Sequence, residues 1–240
     1  MFWRPNKLRV LPVAAAAILA ASATAAAANI LVVRSSGPSS RSYPPGRALA
    51  PNARVTLRQG DTIVLLDGRG TRTLRGPGTY AAGAAARVTT RSALAVNNKG
   101  RVGRVGASRR VMAQPRSPSI WHVDASRSAT ICVADASNLI LWRPSATETL
   151  QLSIASAAGG AARTLTWSAG QSTLPWPADL RVAHDAEYRL SAEGVAVATR
   201  LRFRLLPAAP TGLEAQAAAF IQNGCQAQLD VLIETVELPA

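Results

Sequence analysis

The chain has 240 residues, room for one large domain or two small ones, and 27 Lys and Arg against 13 Asp and Glu give it a net charge of +14. Hydrophobic residues make up 48% but aromatic residues only 5%. Much of the apolar share is alanine, which excludes large aromatic cores and leaves Val, Leu, Ile and a few tryptophans to fill small ones. All the basic residues except Lys7 and Lys99 are arginine, a bias that either a GC-rich coding sequence or selection for bidentate anion contacts would produce.

Residues 1–28 read as a Sec-type signal peptide. Arg4, Lys7 and Arg9 form a positive start, residues 10–28 are uncharged and alanine-rich, and the small residues before Asn29 fit an A-x-A cleavage ending at Ala28. An uncleaved anchor is the competing reading, because no charge falls between Arg9 and Arg34. Weakly hydrophobic alanine and the interruption at Pro12 favour cleavage. No cysteine follows, so the segment is not a lipoprotein signal. The expected location is the bacterial periplasm or beyond, with no integral span after cleavage. Export also permits a disulfide, and two cysteines allow one connectivity.

Residues 29–95 are expected to form a small β-domain. Residues 30–33 are an apolar run, and 54–58 alternate with period two. Gln59-Gly60-Asp61 turns the chain into a buried-strand candidate at 62–66, and Asp67-Gly68-Arg69-Gly70 signals a hairpin. The return strand, 71–74, ends at Gly76-Pro77-Gly78. The stretch LRQGDTIVLLDGRGTRTLRGPGTY, residues 57–80, resembles the small β-domains of FecR-type periplasmic regulators, where an L-x-x-G-D-x-I turn leads to a strand, a glycine hairpin and a G-P-G exit. The resemblance covers about a tenth of the chain and implies a non-enzymatic envelope β-domain. The sigma-factor-binding segment of those regulators has no counterpart in the sequence.

Residues 96–117 read as a basic Gly/Arg-rich linker, in which Val102 and Val105 could add a last strand. From 29 to 116 there are 16 basic residues and two acidic ones, a net of +14, whereas 117–240 carry eight and 11, a net of −3. An Arg-rich face attracts anions in a salt-sensitive way. Arg54, Arg58, Arg72, Arg75, Arg101, Arg104, Arg109 and Arg110 are therefore the candidate contacts to an anionic envelope component or an envelope protein. A solvated face plus a linker is the plainer alternative. No aromatic residue interleaves the basic run 99–116, which argues against nucleic acid as the partner.

Residues 118–206 show the strand spacing of a β-sandwich, with candidates at 120–123, 129–134, 139–143, 149–155, 163–168, 172–174, 186–191 and 197–205. Leu201, Phe203 and Leu205 alternate with Arg200, Arg202 and Arg204, giving one buried and one wet face. Val182 and Tyr188, in DLRVAHDAEYRL, resemble the tyrosine corner of immunoglobulin-like and fibronectin-type domains. That likeness implies a mostly adhesive or structural role, with the hydroxyl returning to nearby backbone.

Residues 211–237 switch to helical period. Thr211 with Glu214 reads as a capping box, Ala217, Phe220 and Ile221 share a face, and Asn223-Gly224 is a stop signal. Cys225 opens a second helix with Leu229, Leu232, Ile233 and Val236 on one side. Such a hairpin must dock on something, and the sandwich is the expected surface, held by a Cys132–Cys225 bond. Free thiols, or bonds to other chains, are the alternatives. The expected fold class is mainly β: a small N-terminal β-domain, an Ig-like sandwich and a C-terminal helical hairpin.

Catalytic chemistry is not written in any motif. No G-x-S-x-G, P-loop, H-E-x-x-H or C-x-x-C occurs, and no catalytic residue, metal site or cofactor is assigned. A secreted hydrolase built around His122 or His184 is the alternative. His122 and Asp124 share a strand face, where a metal site would need a distant third ligand. Trp142 and Trp167 read as core. Trp176, between Pro175 and Pro177, is the candidate exposed contact.

Overall fold

A computed structural model describes residues 30–84, 117–193 and 198–236. The fold is mainly β, closed by a C-terminal helical hairpin. The first module comprises β1 (Ile30–Ser36), β2 (Ala48–Leu49), β3 (Arg54–Leu57), β4 (Thr62–Asp67), β5 (Gly70–Arg75) and β6 (Gly78–Ala81). An antiparallel sheet runs β2-β1-β4-β5, and β3 pairs with β6. The unbroken apolar runs of β1 and β4 have a physical cause: both faces of these strands are covered. Ile30, Val32, Ile63 and Leu65 pack with Val55 and Leu57 in the module's own core. Leu31, Val33, Val64 and Leu66 face the opposite way, into a cluster built largely from helical residues.

The G-D turn is tied together by one carboxylate. Asp61 is 2% exposed, and its two oxygens accept N–H groups from Ser39 at 2.9 Å and Arg58 at 2.5 Å. Gly60 adopts φ 84, and the Asp61 carbonyl takes the Gly76 N–H at 2.9 Å. A side chain at Gly76 would place its Cβ 1.9 Å from the Arg58 carbonyl oxygen, so only glycine fits there. Burial pushes the Asp61 carboxyl up, but the hydrogen bonds from Ser39 and Arg58 and the charge of Arg58 together hold it below 3.8. A lowered acid stabilises the fold fully above its ordinary value and loses that contribution as pH falls through the depressed one. We therefore expect Asp61→Asn to flatten the acid side of the pH–stability curve below pH 3.8; urea midpoints taken across the acid range measure it.

The second module contains β7 (His122–Asp124), β8 (Ala129–Val133), β9 (Ile140–Trp142), β10 (Leu150–Ser156), β11 (Arg163–Trp167), β12 (Thr173–Pro175), β13 (Glu187–Ala192) and β14 (Thr199–Leu205). All eight expected strands form, with ends shifted by a residue or two. They make a five-stranded sheet, β11-β10-β13-β14-β8, and a three-stranded one, β12-β9-β7. Two pairs are parallel, β14 with β8 and β7 with β9. Val123, Ile131, Leu141, Ile154, Trp167, Leu190, Leu201 and Phe203 fill the core between the sheets. Tyr188 donates its hydroxyl to the Arg181 carbonyl at 2.6 Å.

Trp176 corrects the sequence reading: it is 8% exposed and belongs to the core. Its ring meets Tyr188 and Phe203 edge-on at 5.0 and 5.2 Å, and its indole N–H donates to the Leu180 carbonyl at 2.8 Å. The flanking prolines bound a short edge strand and do not push the ring into solvent. Arg143 is also buried, donating to the carbonyls of Gln171, Glu148 and Ser168 over the face of Trp167.

The hairpin consists of α1 (Leu213–Asn223) and α2 (Gln226–Thr235). Gly224 ends α1 in the left-handed conformation at φ 70, as its sequence signal implies. The start differs from expectation. Gly212 at φ 82 precedes α1 and no side chain caps it, so Thr211 and Glu214 form no capping box. Cys225 bonds to Cys132, with Cα atoms 5.8 Å apart. The docking surface is wider than the sandwich alone. Ala217, Phe220, Leu229, Leu232 and Ile233 pack in one cluster with Leu31, Val33 and Leu66 of the first module and Cys132 of the second. The hairpin is thus a wedge that both modules share. Arg34 reaches Asp230 at 2.6 Å, and the Thr71 N–H donates to the Val236 carbonyl at 3.2 Å. No helix among the described residues is long and apolar enough to cross a membrane.

Candidate functional site

The first module spends both of its acids internally. Asp61 is buried in its turn, and Asp67 lies 3.6 Å from Arg69 and 3.7 Å from Arg72. Five arginines of this module, Arg41, Arg47, Arg54, Arg58 and Arg75, are exposed and outside any ion pair among the described residues, Arg47 lying over the Tyr43 ring. Strand alternation explains two of them: Val55 and Leu57 turn into the core, so Arg54, Thr56 and Arg58 turn out. Arg75 comes next to them through the chain, because Gly76 lies against the Arg58 carbonyl.

Arg72 does not join this face. Its side chain is 9% exposed, faces Asp67 and donates to the Ala84 carbonyl. Burial lowers its pKa, against the raising field of Asp67. The register sets it opposite Leu65, on the core side of the sheet, and so it is a structural arginine. Arg101, Arg104, Arg109 and Arg110, with Val102 and Val105, lie outside the described residues.

A groove of about 390 Å³ runs between the β7–β8 side of the sandwich and α2. His122 lines it, with a buried Nδ1 that has no hydrogen-bond partner. Burial lowers the imidazole pKa below 6.5, which leaves the ring neutral at pH 7. Of the hydroxyls around it, those of Ser117 and Ser126 donate elsewhere. Ser117 donates to the Ser119 carbonyl, and Ser119 accepts the Trp121 N–H. Ser126 donates to Asp124, and Ser128 accepts the Arg200 N–H. Asp124 itself holds Ser126 and Arg127. His184 is exposed, with Asp185 at 3.7 Å and Arg204 at 3.4 Å. Among the described residues no three of His, Cys, Asp and Glu are grouped to hold a metal ion.

No family model, curated protein or solved structure matches this chain.

One residue that the sequence reading passed over organises the junction. Gln228 is 3% exposed. Its carbonyl oxygen accepts the Cys132 N–H at 2.7 Å, and its amide donates at 2.9 Å to the carbonyls of Cys132 and Ile120. The available signal was positional: Gln228 falls on the apolar face of α2, between Cys225 and Leu232. A polar residue there needs partners, and an edge strand needs covering.

Proposed function

We propose that the chain is a non-catalytic cell-envelope scaffold module whose arginine-rich first half engages an anionic surface or partner. The supporting observation is the imbalance on the first module: its acids are consumed inside the fold, while Arg54, Arg58 and Arg75 stand exposed and outside any ion pair among the described residues. The hydrolase reading has less behind it, since neither histidine is hydrogen-bonded to a serine or a carboxylate among the described residues. Periplasmic or secreted location, by way of a cleaved Sec-type signal, is part of the same proposal, and so is a FecR-like role for the first module.

Binding through exposed charge is screened over about 10 Å at 0.1 M salt. Sedimentation with phosphatidylglycerol vesicles should therefore show tight association at low salt and steep loss towards moderate salt. Replacing Arg54, Arg58 and Arg75 together by glutamine should weaken it on the order of tenfold. Salt-insensitive binding, or a triple variant that binds as the parent does, counts against the reading.

A further inference from the structure

The second module carries an arginine pair of its own. Arg189 on β13 lies directly opposite Arg200 on β14, and both are exposed. Elsewhere on this face the basic residues are matched by acids: Arg202 pairs with Glu187 and Arg204 with Asp185. Neither guanidinium of the Arg189–Arg200 pair has any partner among the described residues. Like charges directly across an antiparallel pair, with Cβ atoms about 5 Å apart, repel and destabilise the sheet. Beside them the sheet is unfilled. Arg189 is in register with Ala155, and both arginines line a notch of about 320 Å³ with Ala155, Ala157 and Glu187, whose carboxylate is already held by Arg202.

We propose that Arg189 and Arg200 bind a phosphate group. A guanidinium is a planar fork that offers two parallel donors. A carboxylate's two oxygens are filled by one such fork, whereas a tetrahedral phosphate has enough terminal oxygens to engage two. Bound there, it replaces a repulsion with two charge-assisted contacts. The site sits on the other β-module from the arginine face proposed above and stands or falls without it.

Thermal unfolding of the mature chain in sodium phosphate and in sodium chloride, at matched ionic strength, tests the site. The expected result is a Tm rise of about 3 °C in phosphate at roughly tenfold excess over Kd. Arg189→Gln and Arg200→Gln should each abolish the rise. Each also relieves the like-charge contact, so in chloride both should melt no lower than the parent, which separates lost binding from lost folding. The Arg54/Arg58/Arg75 triple variant should keep the full phosphate response. Vesicles containing phosphatidic acid, a phosphomonoester with three terminal oxygens, identify the source: binding lost in Arg189→Gln assigns a lipid headgroup, and a phosphate response without such loss assigns a free phosphate or phosphorylated small molecule. Equal Tm in the two salts, or a rise that survives Arg189→Gln, overturns the proposal.

Discussion

Replacing Cys132 and Cys225 together by alanine should cost about 4–5 kcal/mol, the chain-entropy value for a closed loop of this size. The bond joins residues 93 apart and so encloses most of the sandwich and all of α1. Urea unfolding of the parent and the double variant measures the difference. Because both sulfurs are buried, at 1% and 0% exposure, the native protein should resist mild reductant that reduces it readily once urea has opened it. The consequence reaches past the sandwich, since α2 also contacts the first module through Arg34–Asp230 and the Leu31–Leu66 cluster. The variant should therefore loosen the hairpin before either module melts. Trp121, edge-on to Phe220 at 5.7 Å, reports that step by fluorescence. A loss below about 1 kcal/mol would mean that the apolar wedge alone holds the junction.

How much of this arrangement the sequence revealed depends on the range of the interaction. Local patterns were sufficient for the eight strands of the second module, for β3, β4 and β5 of the first and for the Gly224 helix stop, because alternation and a left-handed glycine act within a few residues. β2 and β6 were not readable, since they are strands only through their pairing with β1 and β3. The cysteine pairing was readable because two cysteines have one partner each. Where the hairpin docks was only half readable. The run of β4 reads as a buried strand and that of β1 as an apolar run, but what covers their second face lies about 180 residues away in the chain. Trp176 failed for a similar reason: its prolines are a local signal of exposure, and the Tyr188 and Phe203 rings that bury it come from β13 and β14. In the candidate sites, Arg54 and Arg58 could be placed outward from alternation. Arg72 could not be excluded, because its burial follows from the register of β5 against β4 and from the Ala84 carbonyl. The Arg189–Arg200 pair was invisible until β13 and β14 were in register, since eleven residues separate its members.

Gln228→Leu should destabilise the chain by about 3 kcal/mol, although leucine is close in volume and sits well in a helix. Three hydrogen bonds disappear, and the Cys132 N–H and two carbonyls lose their partner in a space that excludes water. An unmet buried polar group costs about 1–3 kcal/mol, while the added apolar contact returns part of that. Gln228→Glu separates the donor role from the acceptor role. A carboxylate still accepts from Cys132 but cannot donate to the Cys132 and Ile120 carbonyls, and it adds a buried charge beside two oxygens. Its loss should therefore exceed that of leucine at neutral pH and shrink as acid restores a donor. Urea titrations of both variants at neutral and mildly acidic pH give the comparison. A leucine variant as stable as the parent would show that the outer edge of β8 is sealed by packing and the disulfide, with the glutamine merely accommodated. That result would also remove the reason for a polar residue on this face, because covering an edge strand is the one task here that leucine cannot perform.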